Sequence, residues 1–310
     1  MRKVLIAAPI HKVLRDGLES AGYTLIEELG ITQKEAPQLL RDCAGVITST
    51  RLQLDRELLQ QAANLEWIGR MGSGMEVIDL EFAVEKGIRC YSSPEGNSNA
   101  VAEHAMGMLL SLTNRIGWSH REILEGKWLR EENRGIELEG RTVGIIGFGH
   151  TGRAFAKKLR GFDVRVLAHD IVQMKDIPVE VQFCDRPDRI YEEADIVSFH
   201  VPLKPDTFHY LNREFIERMK KKFILVNSSR GAVVDTFALA KGIEQGKIRG
   251  ACLDVFESEP LDRMIPDIRK IFEKIIRLPE VVVSPHIAGY SEESLYKMSK
   301  VLLGRIVTGS

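Results

Sequence analysis

Residues 142–152 read TVGIIGFGHTG, and this stretch decides the fold. Its first half is rich in β-branched residues and has the composition of a buried strand. Its second half, Gly147, Phe148, Gly149, His150, Thr151 and Gly152, has the G-x-G-x-x-G spacing, and an amphipathic run through Phe155, Leu159 and Phe162 follows at helical spacing. Strand, glycine turn and helix in that order make a dinucleotide cradle. Gly147 permits the tight turn, Gly149 lets backbone approach a pyrophosphate, and Gly152 lets helix and strand pack closely, while the helix N-terminus presents amides and positive potential. The next strand-like run ends in Asp170, eighteen residues beyond Gly152, where a carboxylate would accept hydrogen bonds from ribose hydroxyls. That carboxylate repels a 2′-phosphate, and Ile171, Val172 and Gln173 bring no arginine to offset it, so the expected cofactor is NAD rather than NADP.

Downstream of the motif, apolar runs at 164–168, 196–201, 223–227, 251–255 and 281–284 continue a βα series. Upstream, runs at 4–8, 24–26, 45–48, 67–69 and 88–91 alternate with helical patterns in the same way. Between the two series the turn-rich segment 92–99, SSPEGNSN, leads into an apolar helical stretch at 100–112 and reads as a boundary. The fold class is therefore α/β: two Rossmann-like or flavodoxin-like domains, each a parallel sheet with helices on its faces. A last apolar helix, 292–306, follows Ser291, whose hydroxyl can cap its free amides.

Bulk properties exclude several function classes. A chain of 310 residues is longer than one core usually serves. Lysine and arginine number 43 against 44 aspartates and glutamates, which leaves no global field for a polyanion, so nucleic acid is not an expected partner. No run approaches the roughly 18–20 apolar residues that cross a bilayer, so no membrane association is expected. The apolar start, 4–10, contains Pro9 and is followed at once by His11 and Lys12, which reads as a strand rather than a signal peptide. Cys43, Cys90, Cys184 and Cys252 lack any CxxC or metal-like spacing; they read as apolar thiols in a reducing cytoplasm, with no metal site.

Three later segments each end a strand of the second series, where ligands of open α/β sheets gather. They are NSSRG with Arg230, LDVFESEP with Asp254 and Glu259, and SPHIAG with His286. A guanidinium can hold a carboxylate and a carbonyl oxygen through charge-assisted contacts. A histidine can take a hydroxyl proton during oxidation and return it during reduction, and a carboxylate beside it fixes its tautomer.

The ordered motifs resemble the D-isomer specific 2-hydroxyacid dehydrogenases, most closely the D-3-phosphoglycerate dehydrogenase subgroup. The resemblance is carried by GSGMEVID at 72–79, SPEGNSNAVAEHAMG at 93–107, the glycine fingerprint with Asp170, HVPL at 200–203, NSSRGAVVD at 227–235, LDVFESEP at 253–260 and SPHIAG at 284–289. It implies that Arg230 binds and polarises the substrate, Glu259 supports His286, and His286 is the acid/base. It implies further cofactor contacts at His200, Val201, Pro202, Ser228, Asp254 and Gly289. The loop of Met71, Gly72, Ser73 and Gly74 would offer backbone amides to the substrate carboxylate. An NAD-binding Rossmann domain, 99–286, would be inserted in a substrate domain made of 1–98 and 287–310. A homodimer through about residues 100–130 is implied as well, and the end of the sequence soon after Leu302 reads as a short form without an appended regulatory domain.

For the substrate, a small 2-hydroxy or 2-keto acid, the subgroup implies oxidation of D-3-phosphoglycerate to 3-phosphohydroxypyruvate, a step of serine biosynthesis. That chemistry needs cations for the phosphate, and Arg51, Arg70 and Arg130 are the candidates. Two departures from the subgroup stand out: Thr48 stands where an arginine is usual, and Met75 and Glu76 stand where aspartate and asparagine are common. A glyoxylate or hydroxypyruvate reductase with the same catalytic residues is the alternative. From another class, an NAD-sensing corepressor-like protein would share the fold, but such proteins add disordered tails that this sequence does not show.

Overall fold

The apolar runs pair as parallel strands in two separate sheets. The structure is a computed structural model that describes residues 2–174 and 176–309. The chain divides into one unit of Met1–Ala100 with Gly289–Ser310 and a second of Val101–Ala288. Each crossing falls two residues beyond the expected 98 and 286.

In the first unit, β1 (Arg2–Ile6), β2 (Tyr23–Glu27), β3 (Cys43–Thr48), β4 (Trp67–Arg70) and β5 (Arg89–Tyr91) form a sheet of order β2-β1-β3-β4-β5. This is the flavodoxin-like order. β3 and β4 are buried along their whole length, as expected for central strands covered on both faces. One face packs Leu5, Val46 and Ile68 with Leu40, Leu58, Leu59 and Phe82 of the intervening helices. The other packs Ile6, Ile47 and Trp67 with Leu14 and Leu18 of helix Lys12–Ser20 and with Met298, Leu302 and Ile306 of helix Glu292–Thr308. The C-terminal helix thus completes the first core. Its start is the capping box anticipated at Ser291: the Ser294 amide donates to Ser291 Oγ and the Ser291 amide to Ser294 Oγ, both at 3.0 Å.

The segment read as a turn-rich boundary is instead helical from its third residue, in helix Pro94–Thr113. Proline is tolerated in a first helical turn, where its missing N–H would have no partner. Gly96 serves packing rather than turning, since a β-carbon there would lie 2.5 Å from the Met298 amide nitrogen.

The second unit has seven strands: β6 (Thr142–Ile146), β7 (Arg165–His169), β8 (Val181–Phe183), β9 (Ile196–Phe199), β10 (Phe223–Asn227), β11 (Ile248–Leu253) and β12 (Val281–Val283), in the order β12-β11-β10-β9-β6-β7-β8. The chain reverses direction of growth between β6 and β9, the switch point at which ligands of this architecture bind. Six of these strands are anticipated from sequence; β8 is not, because it has three residues of which only Val181 is buried. Two cores cover the faces, one around Phe199, Phe215 and Phe223 and one around Phe148, Phe155 and Ile145. Cys43, Cys184 and Cys252 are buried, Cys90 is half-buried, and all four are free thiols. Among the described residues no group of acidic, histidine or cysteine side chains could hold a metal ion.

Candidate active site

At the switch point the glycine motif forms the turn its spacing demands. Gly147 has φ +90°, and a β-carbon there would lie 2.4 Å from the His200 carbonyl oxygen. A β-carbon on Gly152 would lie 2.1 Å from the Gly147 oxygen, so helix His150–Leu159 can approach the strand only with glycine at that place. Gly149 is different: its β-carbon position has no atom within 4 Å, and no side chain caps the helix it precedes. The helix thus begins beside open space at Gly149 without a side-chain cap. Asp170 braces the turn, accepting from the Phe148 amide at 2.7 Å and the Val172 amide at 3.0 Å.

At the neighbouring strand ends, His200 and Ser228 follow the paired residues Phe199 and Asn227. His200 Nε2 is 2.8 Å from Ser198 Oγ, and burial pushes its imidazole down to about 3, so the ring stays neutral. His200 Nδ1 and the Ser228 hydroxyl are buried without hydrogen-bond partners. Val201 packs against the Gly147 turn, and Pro202 lends its carbonyl to Thr207 Oγ1 at 2.6 Å.

Asn227 shapes the turn that carries Arg230. Its side chain accepts from the Ser229 amide at 3.1 Å and Ser229 Oγ at 2.8 Å and donates to the Arg230 carbonyl at 2.9 Å, an asparagine turn that fixes the guanidinium's root. Glu259 is oriented through both oxygens: Oε1 accepts from the Phe256 amide at 2.7 Å, and Oε2 lies 2.6 Å from His286 Nδ1. His286 has φ +56°, and its side chain is 42% exposed, so Nε2 is left for an outside partner. The imidazole, its carboxylate and the Arg230 turn share one edge, because a β-carbon on Gly231 would lie 1.7 Å from the Phe256 oxygen.

Asp254, expected at the cofactor, is held within its own loop network. It is 1% exposed, and its oxygens accept from Ser284 Oγ at 2.6 Å, the Ile287 amide at 2.9 Å and the Ala288 amide at 2.8 Å. It builds the loop that holds His286, whose own amide donates to the Asp254 carbonyl at 2.8 Å. His104 Nε2 stands 2.8 Å from Ser284 Oγ on the far side of this network. Gly289, also expected at the cofactor, packs against Asn97 and accepts Ser294 Oγ at 2.7 Å.

In the first unit, two of the four amides expected to meet a substrate carboxylate are already committed. The Met71 amide extends the β3–β4 ladder to the Thr48 oxygen at 2.8 Å, and the Gly72 amide donates to Ser93 Oγ at 3.0 Å. Those of Ser73 and Gly74 are left as candidates. Arg70 is buried, with Nη1 on the Met71 carbonyl, and Arg51 Nη1 reaches the Leu29 carbonyl. Arg130, in the second unit, is exposed after helix Ile116–Leu124.

Residues 106–288 match the D-isomer specific 2-hydroxyacid dehydrogenase NAD binding domain, 183 of 310 residues. The chain belongs to the D-isomer specific 2-hydroxyacid dehydrogenase family. It is 35% identical over 283 residues to a glyoxylate reductase of Thermofilum pendens, covering 89% of this chain and 81% of that one. It is 33% identical over 307 residues to a D-3-phosphoglycerate dehydrogenase of Archaeoglobus fulgidus, covering 98% of this chain and 56% of that one. The chain thus spans about half the length of the curated D-3-phosphoglycerate dehydrogenases it matches. Among solved structures, a D-lactate dehydrogenase of Aquifex aeolicus complexed with NAD and lactic acid superposes with a TM-score of 0.87 at 27% identity, covering 99% of this chain and 96% of that one.

The second unit's own residues fit the family's dinucleotide. The open space at Gly149, the amides that open helix His150–Leu159 and the buried Ser228 hydroxyl without a hydrogen-bond partner are the space and donors that a nucleotide would use. Sequence reading assigns no role to Asn227, Ser284 or the Phe256 amide, which orient the Arg230 turn, the His286 loop and Glu259. Only Asn227, a turn former inside NSSRG, carries a recognisable signal.

Proposed function

We propose that the chain is an NAD-dependent dehydrogenase that interconverts a small D-2-hydroxy acid and its 2-keto acid. The observation that carries this reading is the 2.6 Å contact between His286 Nδ1 and Glu259 Oε2 on the edge where the Arg230 turn also lies. The glycine loop, with Asp170 and Ser228, would hold the cofactor, which when bound supplies or accepts the hydride. Arg230 binds the substrate carboxylate and draws electron density from the C2 carbonyl. In reduction, His286 gives its Nε2 proton to the C2 oxygen; in oxidation it removes that proton. Glu259, by accepting a hydrogen bond from Nδ1–H, keeps Nε2 as the exchanging atom and balances the imidazolium.

Within this chemistry, an unphosphorylated 2-keto acid such as glyoxylate or hydroxypyruvate is favoured over phosphohydroxypyruvate. Arg51 is turned onto the Leu29 carbonyl, Arg70 is buried beneath the substrate loop, and Thr48 replaces the usual arginine, so neither first-unit guanidinium is presented as an open phosphate clamp. Steady-state kinetics with NADH on glyoxylate, hydroxypyruvate and phosphohydroxypyruvate tests both levels. Turnover of the first two supports the reading; a tenfold or greater preference for the phosphorylated acid that disappears in Arg70→Ala would restore the phosphoglycerate assignment; and no turnover of any would overturn the enzyme reading in favour of a binding protein.

The active unit is a homodimer. Helix Ile116–Leu124 has no buried residue, yet Ile116, Ile123 and Leu124 are exposed on it and Trp128 follows at 78% exposure. An apolar surface of this kind fits a second copy of the chain. Four free thiols suit a reducing cytoplasm.

A further inference from the structure

Three loops at the C-terminal edge of the seven-stranded sheet meet at a carboxylate that the proposed chemistry does not use. Glu257 is 11% exposed; its Oε1 lies 2.8 Å from His209 Nε2, and its Oε2 accepts from the Thr236 amide at 2.9 Å. Thr236 opens helix Thr236–Glu244, where Asp235 caps the Phe237 and Ala238 amides, so Glu257 meets a first-turn donor that the cap does not reach. Glu257 therefore ties loop 254–260, which carries Glu259, to the end of loop 228–235, which carries Arg230.

His209 closes the third side. Its backbone amide donates to the Ala232 carbonyl at 2.8 Å, while its ring reaches Glu257. One residue thus grips both catalytic loops. To do so it stands at φ +49°, a region that a β-carbon disfavours. The two loops already touch through backbone: Gly231, next to Arg230, abuts the Phe256 carbonyl, and the Phe256 amide is the donor that holds Glu259. Any slack at His209 or Glu257 is passed to Arg230 and to the carboxylate behind His286.

We infer that His209 and Glu257 are positioning residues that set the spacing between Arg230 and the Glu259–His286 pair. The inference rests on the function proposed above, in which those three side chains act on one substrate. A role confined to helix capping would lower stability and leave the kinetic constants of the folded enzyme alone; a positioning role moves kcat/KM for the keto acid while cofactor binding is kept.

The test uses the full chain with three substitutions. His209→Leu removes the donor and keeps the bulk, His209→Gly removes the donor and relieves the positive φ, and His209→Gln restores an N–H donor. NADH affinity, read by fluorescence titration, stays at the wild-type value in each. kcat/KM for the preferred 2-keto acid falls by about 10- to 100-fold in the Leu and Gly variants, the size of a lost hydrogen bond to a charged group, and the Gln variant recovers most of it. Wild-type kcat/KM in His209→Gly, or a Gln variant as impaired as Leu, overturns the inference. If the wild-type chain reduces no 2-keto acid, the proposed function has failed and amide exchange of the ligand-free protein decides the clamp by itself. His209→Gly then speeds exchange in 228–235 and 254–260 together, with Gln reversing it; acceleration in one loop only, or in neither, overturns it.

Discussion

Asp254 Oδ1 accepts a hydrogen bond from Ser284 Oγ at 2.6 Å, a half-buried contact across the ends of β11 and β12 that fixes the loop on which His286 sits. Replacing Asp254 by Asn turns an NH2 group toward donors that need an acceptor. Stability is expected to fall by about 1–3 kcal/mol, because a buried donor loses its partner. If the residue acts through the loop, kcat falls with it and NADH affinity holds. A variant that loses chiefly NADH affinity, measured by titration beside thermal unfolding, would instead make Asp254 a cofactor contact.

Gly149 and Gly152 should separate binding from folding. Gly152→Ala must displace the Gly147 carbonyl, which would lie 2.1 Å from the new carbon, and is expected to cost roughly 1–3 kcal/mol of stability as well as NADH affinity. Gly149→Ala meets no atom within 4 Å. Its stability is expected to stay within about 0.5 kcal/mol of wild type. Its NADH affinity is expected to drop by about tenfold or more, or ~1.4 kcal/mol, because the methyl group enters the space the nucleotide needs.

Acid stability should carry the signature of His200. The folded protein holds this imidazole down to about 3 by burial, against an ordinary value of 6.5. Between those pH values the unfolded chain binds a proton that the folded one refuses, so stability declines as pH falls from 6.5 toward 3. The contribution is at most about 1.4 kcal/mol per pH unit. Urea unfolding at a series of pH values should show a shallower decline in His200→Gln than in wild type.

The exposed apolar residues of helix Ile116–Leu124 and Trp128 predict a dissociable homodimer. Leu124→Glu with Trp128→Glu is expected to yield a monomer in sedimentation experiments, since two carboxylates would be buried without partners. An unchanged sedimentation coefficient would place the interface elsewhere.

Much of this was legible in the sequence because it rests on local pattern. The alternation of apolar runs specifies two parallel sheets, and TVGIIGFGHTG fixes strand, turn and helix without long-range information. The remainder depends on contacts between segments far apart in the chain. Gly96 reads as a turn former until Met298 is seen against it. Nothing local to Asp254 announces that the Ile287 and Ala288 amides, more than thirty residues on, donate to its oxygens. His209 and Glu257 stand 48 residues apart and match no short motif. Arg51 and Arg70 read as candidate phosphate cations, and nothing local predicts the carbonyl group that each one meets.

The most direct measurement of the central claim is the turnover of His286→Gln with NADH and the preferred 2-keto acid, beside NADH titration of the same variant. The account predicts wild-type NADH binding and a kcat lower by about 10²- to 10⁴-fold, the usual contribution of a general acid. Turnover near the wild-type rate, with binding intact, would contradict it.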